Sequence, residues 1–142
     1  MKRTLLSLFV LTAIGSLAVC FAAGGKVEKE TAAVAAAQAW LAQVDTEQYA
    51  ESWGTAAAYF KSAVTTAQWQ QAISAVRRPL GKVQSRQLAS KRLMTELPGA
   101  PDGEYVVLQY QTSFQNKKSA IETITPMRDQ DGKWKVAGYF IK

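Results

Sequence analysis

Apolar side chains recur at three-to-four-residue spacing through residues 27–44, at Val27, Val34, Ala37, Leu41 and Val44, as one face of a helix requires. Trp40 widens that face. The segment Asp45-Thr46-Glu47-Gln48 has the form of a capping box, an acceptor followed three residues later by Gln. It is expected to close the first helix and open a short second one, with Tyr49 and Trp53 one turn apart. Gly54 marks a break before another helical turn or two over residues 55–60, which continue the apolar side with Ala56 and Phe60. Thr65-Thr66-Ala67-Gln68 repeats the cap form. The helix it opens aligns Trp69, Ala72, Ile73 and Val76 on one stripe and ends at Pro79 and Gly81.

Past Gly81 the period falls from about 3.6 to 2, which signals sheet. A long polar strand over residues 82–96 alternates imperfectly and predicts a bulge or bend. The two prolines and two glycines of residues 97–103 make a turn-rich connection. Strands over 104–115, 120–129 and 133–141 follow. Gln130-Asp131-Gly132-Lys133 predicts a type I′ hairpin centred on Asp131 and Gly132, setting Met127 against Val136 and Ile124 against Tyr139. A four-residue loop over 116–119 sets Phe114 against Ile121. This register gathers Val106, Leu108, Tyr110, Phe114, Ile121, Met127, Trp134, Val136 and Phe140 on a surface that must meet the helices. The reverse surface carries Gln109, Gln111, Ser113, Glu122, Arg128 and Lys135, with Tyr105, Ile124, Tyr139 and Ile141 as apolar exceptions. The fold class is therefore α+β, with N-terminal helices packed on a curved four-stranded antiparallel sheet.

With 142 residues the chain suits one domain, and 48% hydrophobic residues can supply its core. Histidine is absent, which excludes a Ser-His-Asp triad, a Cys-His pair and a His-ligated zinc. Met1-Lys2-Arg3 gives a basic start to an apolar run over residues 5–19 that is too short to span a bilayer comfortably. Cys20 and Ala22 supply the small side chains that signal peptidase wants. Residues 1–22 are thus expected to be a signal peptide cut after Ala22, and residues 23–142 a single exported domain, periplasmic or secreted. The competing reading takes Leu17-Ala18-Val19-Cys20 as a lipobox, with the protein anchored through a lipidated Cys20; Val19 argues against it. The net charge of +6 is scattered, with no block of like charges, so neither nucleic acid nor a membrane span is expected. No metal-loop spacing or phosphate-cradling glycine pattern occurs, and no metal or cofactor is expected.

Five phrases carry a resemblance: Trp40-Leu41-Ala42-Gln43-Val44-Asp45, Tyr49-Ala50-Glu51-Ser52-Trp53, Arg78-Pro79-Leu80-Gly81 with Arg86, Leu97 through Tyr105, and Asp131-Gly132-Lys133-Trp134-Lys135-Val136-Ala137-Gly138-Tyr139. They resemble the bacterial exported domain-of-unknown-function family 4019. The order of helices before sheet resembles the cystatin-like or nuclear-transport-factor-2-like architecture, in which a sheet cradles a helix in a cone. The resemblance implies that fold and an exported location, and it hands over no catalytic residue.

Candidate pocket residues are Trp69, Tyr110, Arg78 and Arg86. The tryptophan and tyrosine either line a cavity or fill the core. The arginines flank the helix-to-strand corner, where guanidinium groups either clamp an anion or bind helix-terminal carbonyls. Glu122 is the one carboxylate well inside a strand, and the register above turns it toward solvent, so no catalytic residue is assigned. The expected function is a non-catalytic module that binds a small molecule or an envelope protein. The alternatives are an acid-base pocket enzyme using Glu122, Tyr110 or an arginine, and a self-associating structural protein using a face of Tyr105, Tyr139 and Ile141.

Overall fold

A computed structural model of the chain describes residues 18–142. The expected leader lies largely outside these residues, and the bond after Ala22 falls within the first turns of helix α1 (Ala18–Asp45). Along α1 the buried positions are Glu30, Ala33, Ala37, Trp40, Leu41 and Val44. The small Ala33 and Ala37 side chains, both fully buried, let the helix lie close against the sheet. Lys29 donates to Glu104, and Glu30 lies 3.6 Å from Lys91, so the polar rim of α1 is tied to the sheet as well.

Two short helices, α2 (Tyr49–Gly54) and α3 (Ala58–Ala63), lead to α4 (Thr66–Leu80). Thr65 and Gln68 form the predicted capping box at the start of α4. The other predicted box is absent. Gln48 N–H donates to Gln43 O and Glu47 N–H to Val44 O, the paired bonds of a Schellman C-cap on α1. Glu47 takes the left-handed position of that cap at φ 59°, where glycine is the usual occupant, and Gln48 caps α2 with no side-chain bond. Asp45 is drawn elsewhere, as described below. Trp40 donates to Ser52 O at 2.8 Å and Trp69 to Ser52 Oγ at 2.9 Å, so the fully buried Ser52 satisfies both indoles.

Four antiparallel strands, β1 (Val83–Met94), β2 (Tyr105–Phe114), β3 (Lys117–Arg128) and β4 (Trp134–Ile141), pair in the order β1-β2-β3-β4, and the helices precede them in an α+β arrangement. Register shifts between Val83 and Ser85 and between Leu88 and Ser90 supply the irregularity expected in β1. The β2–β3 register departs from expectation. Gln115 and Asn116 alone make the turn, Phe114 pairs with Lys117, and Tyr110 pairs with Glu122. The expected pairing of Phe114 with Ile121 would set Tyr110 against Thr125, so beyond an irregularity between Thr112 and Phe114 the strand body is displaced by three residues. An odd displacement turns every β3 side chain over. Ile121 is consequently 42% exposed, while Glu122, Ile124 and Pro126 point inward.

The β3–β4 hairpin also differs from the expected two-residue turn. Asp129 N–H donates to Lys133 O, leaving a three-residue loop with Gly132 at φ 78°. A shift between Thr125 and Pro126 then restores the expected pairing of Ile124 with Tyr139, while Met127 faces Lys135 instead of Val136. Pro126 has no N–H to offer the ladder, so an irregularity beside it costs little. Phe140 lies on the outer surface, 51% exposed, and Tyr139 turns inward to pack on Trp40 at 5.3 Å between ring centroids. The supposed outer patch of Tyr105, Tyr139 and Ile141 is therefore not a common face: Tyr105 is buried and donates to Pro101 O.

Candidate functional site

The inversion of β3 brings a carboxylate into the core and builds a polar chain around it. Glu122 is fully buried. Arg86 donates to it through Nε at 2.6 Å and Nη2 at 3.2 Å, Thr112 through its hydroxyl at 2.6 Å, and Tyr139 through its phenol. These four bonds satisfy both carboxylate oxygens, the condition under which a buried charge is tolerable. Burial, reinforced by the adjacent Glu122 carboxylate, pushes the Tyr139 phenol well up.

Arg86 reaches in the other direction to Asp45, 2.7 Å from Nη1 and 3.0 Å from Nη2. Desolvation would lower the guanidinium, but the bonds to Asp45 and Glu122 outweigh it and hold Arg86 above its ordinary value. Asp45 also accepts from Arg77 Nη2 at 2.8 Å. Its own burial would raise its carboxyl; the bonds from Arg86 and Arg77 overcome that and bring it below its ordinary value. The chain thus runs Tyr139, Glu122, Arg86, Asp45, Arg77, from the sheet to the helix ends.

Arg77 is where satisfaction stops. The residue is 6% exposed, and its Nε and Nη1 are buried with no acceptor among the described residues. Its guanidinium lies over the Phe114 ring at 5.1 Å, which offsets part of the desolvation but supplies no hydrogen-bond acceptor for those groups. Arg77 lines a cleft of about 360 Å³ at the C-terminal ends of α1 and α4, together with Asp45, Glu47, Tyr49, Arg78 and Lys82. Burial, then the nearby Glu47, raises the Tyr49 phenol. Gly81 closes α4 at φ 73°, where a Cβ would meet Gln115 at 2.9 Å. Asn116 N–H and Nδ2 donate to the Leu80 and Pro79 carbonyls and fix the cleft floor to the β2–β3 turn.

The four expected pocket residues do not share one site. Arg78 lines the cleft and Arg86 lies behind it, bound on both sides by carboxylates. Trp69 is buried, 5.6 Å from Trp40 and 5.0 Å from Phe60, and lines a separate apolar groove with Val76 and Phe140. Tyr110 pairs with Glu122 across the sheet, but its hydroxyl is buried without a partner among the described residues, and burial raises its phenol. Neither Tyr110 nor Glu122 lines the cleft. Two residues missed in the sequence carried signals there. Arg77 follows Trp69 and Ile73 at intervals of four, a charge on a buried helix stripe. Asp45 reads in the sequence as a cap residue, a role that needs no distant partner. Among the described residues, no group of His, Cys, Asp and Glu comes together to hold a metal ion, and no helix is long and apolar enough to cross a membrane.

No curated protein and no solved structure matches the chain. A family described as protein of unknown function, DUF4019, matches residues 36–139, from the middle of α1 to β4. That span takes in the whole polar chain and the cleft, and with well over half of its length matched the chain belongs to the DUF4019 family.

Proposed function

We propose that the protein is an exported, non-catalytic binding module that takes a small anionic ligand in the cleft beside Arg77. One observation carries this reading: a nearly buried guanidinium with two unbonded N–H groups lines a cleft whose wall also holds Arg78 and Lys82. Each unsatisfied buried donor costs about 1–3 kcal/mol, which an anionic oxygen arriving from solution would offset. Neither Arg78 nor Lys82 takes part in an ion pair among the described residues. The enzyme reading places acid-base chemistry on Glu122, Tyr110 or an arginine, and Glu122 buried beside Tyr110 in an open cone would favour it. The two are adjacent, but four donors already occupy the Glu122 oxygens and neither residue lines the cleft beside Arg77, which favours the binding reading. The basic and apolar leader pattern supports export, and helices packed on one face of an antiparallel sheet support a cystatin-like or nuclear-transport-factor-2-like fold.

Thermal unfolding at constant ionic strength, in chloride and then in phosphate, acetate or succinate, tests the binding. The wild type is expected to gain several degrees with at least one of the anions, and Arg77→Met to gain none. Equal behaviour of the two proteins in every anion overturns the reading. Mass spectrometry of the mature protein should find Ala23 at the N-terminus; a diacylglyceryl-modified Cys20 would make it a lipoprotein instead.

A further inference from the structure

The cleft is not uniformly basic. Glu47 stands in its wall with no ion pair among the described residues, next to the Tyr49 ring. Asp45, the other acid there, is already engaged by Arg77 and Arg86. Glu47 is also held at a backbone cost. It occupies the left-handed C′ position of the α1 cap, φ 59°, and is the one non-glycine residue with positive φ among those described. Glycine would close the same cap without strain. For a simple anion, a free carboxylate in the wall is a repulsive neighbour; for a ligand that also carries an ammonium group it is a partner, and the electron-rich Tyr49 face adds to it.

From this juxtaposition of unfilled Arg77 donors and an unpaired Glu47 we infer that the ligand is a small zwitterion, its acidic group on Arg77 and its amine toward Glu47 and Tyr49. This rests on the anion-binding reading above and names the ligand class for the same cleft. Arg78 and Lys82 then attract the acidic end, and Glu47 sets the orientation by excluding the reverse pose and disfavouring dianions.

Calorimetric titration with glycine, β-alanine, 4-aminobutanoate and 5-aminopentanoate, each beside the carboxylate that lacks its amine, tests it. At least one amino acid should bind about tenfold tighter than its partner, the factor that about 1.4 kcal/mol supplies. Glu47→Gln should bring that ratio to within about twofold while the plain carboxylate binds as well or better. Ratios near one throughout the wild-type series, with the carboxylates binding, overturn the zwitterion and leave the anion site standing. A preference that survives Glu47→Gln overturns the role of Glu47. If neither series binds, the zwitterion falls, and the anion reading falls with it when phosphate also leaves the wild type and Arg77→Met alike in thermal unfolding.

Discussion

Arg86 and Arg77 are two arginines at neighbouring links of one polar chain, and they differ in how their hydrogen-bonding capacity is used. Arg86 has a carboxylate on each side, Glu122 in the core and Asp45 toward the helix ends. Arg77 shares Asp45, lines the cleft, and keeps two buried nitrogens without an acceptor among the described residues. Both are largely withdrawn from water, Arg77 at 6% and Arg86 at 16% side-chain exposure, so burial alone does not mark a site. What separates a structural arginine from a recognition arginine is whether its hydrogen-bonding capacity is exhausted within the fold.

The sharpest contrast comes from breaking the satisfied end. Glu122→Ala leaves Arg86, Thr112 and Tyr139 facing an uncompensated gap, and a loss of about 3–5 kcal/mol in urea unfolding is expected. A loss below about 1 kcal/mol would mean that the core chain is not a structural lock. Glu47→Gly relieves the left-handed strain and should raise stability by about 1 kcal/mol, even as it removes the proposed amine contact. Arg77→Met gives up the bond to Asp45 but also two unsatisfied donors, terms of similar size and opposite sign. Its stability should stay within about 1 kcal/mol of wild type, a far smaller change than that of Glu122→Ala.

Acid titration probes the link the two arginines share. Because the Asp45 carboxyl is lowered on folding, its contribution is present at neutral pH. That contribution is lost as the pH falls below about 4 and through the folded value. Asp45→Asn should flatten that part of the stability profile. The raised Tyr139 phenol works at the other limit, its contribution fading as the pH climbs above about 10, and Tyr139→Phe should remove that alkaline loss.

The helices, the buried turns at Ala37, Leu41 and Val44 and at Trp69 and Ile73, and the Thr65 cap were legible in the sequence because local spacing and cap chemistry determine them. Val27 and Val76, expected on the same stripes, are instead 56% and 47% exposed. The order of the strands was legible too. The orientation of β3 was not. It depends on whether the chain turns at Gln115-Asn116 or over residues 116–119, and both stretches are polar enough for a turn. With the register displaced by three, Glu122 changed faces, and the whole polar chain vanished from the reading. Arg78 is conspicuous at the helix-to-strand corner, whereas Arg77 shows itself only when the stripe of Trp69 and Ile73 is continued by one turn.

Arginine side-chain nuclear magnetic resonance distinguishes the two guanidinium groups directly. On titration with the tightest-binding anion or amino acid, the Arg77 Nε–Hε signal should move saturably while the Arg86 signal, already committed to Glu122, stays in place. An Arg77 signal that does not move while the protein binds the ligand would contradict the account.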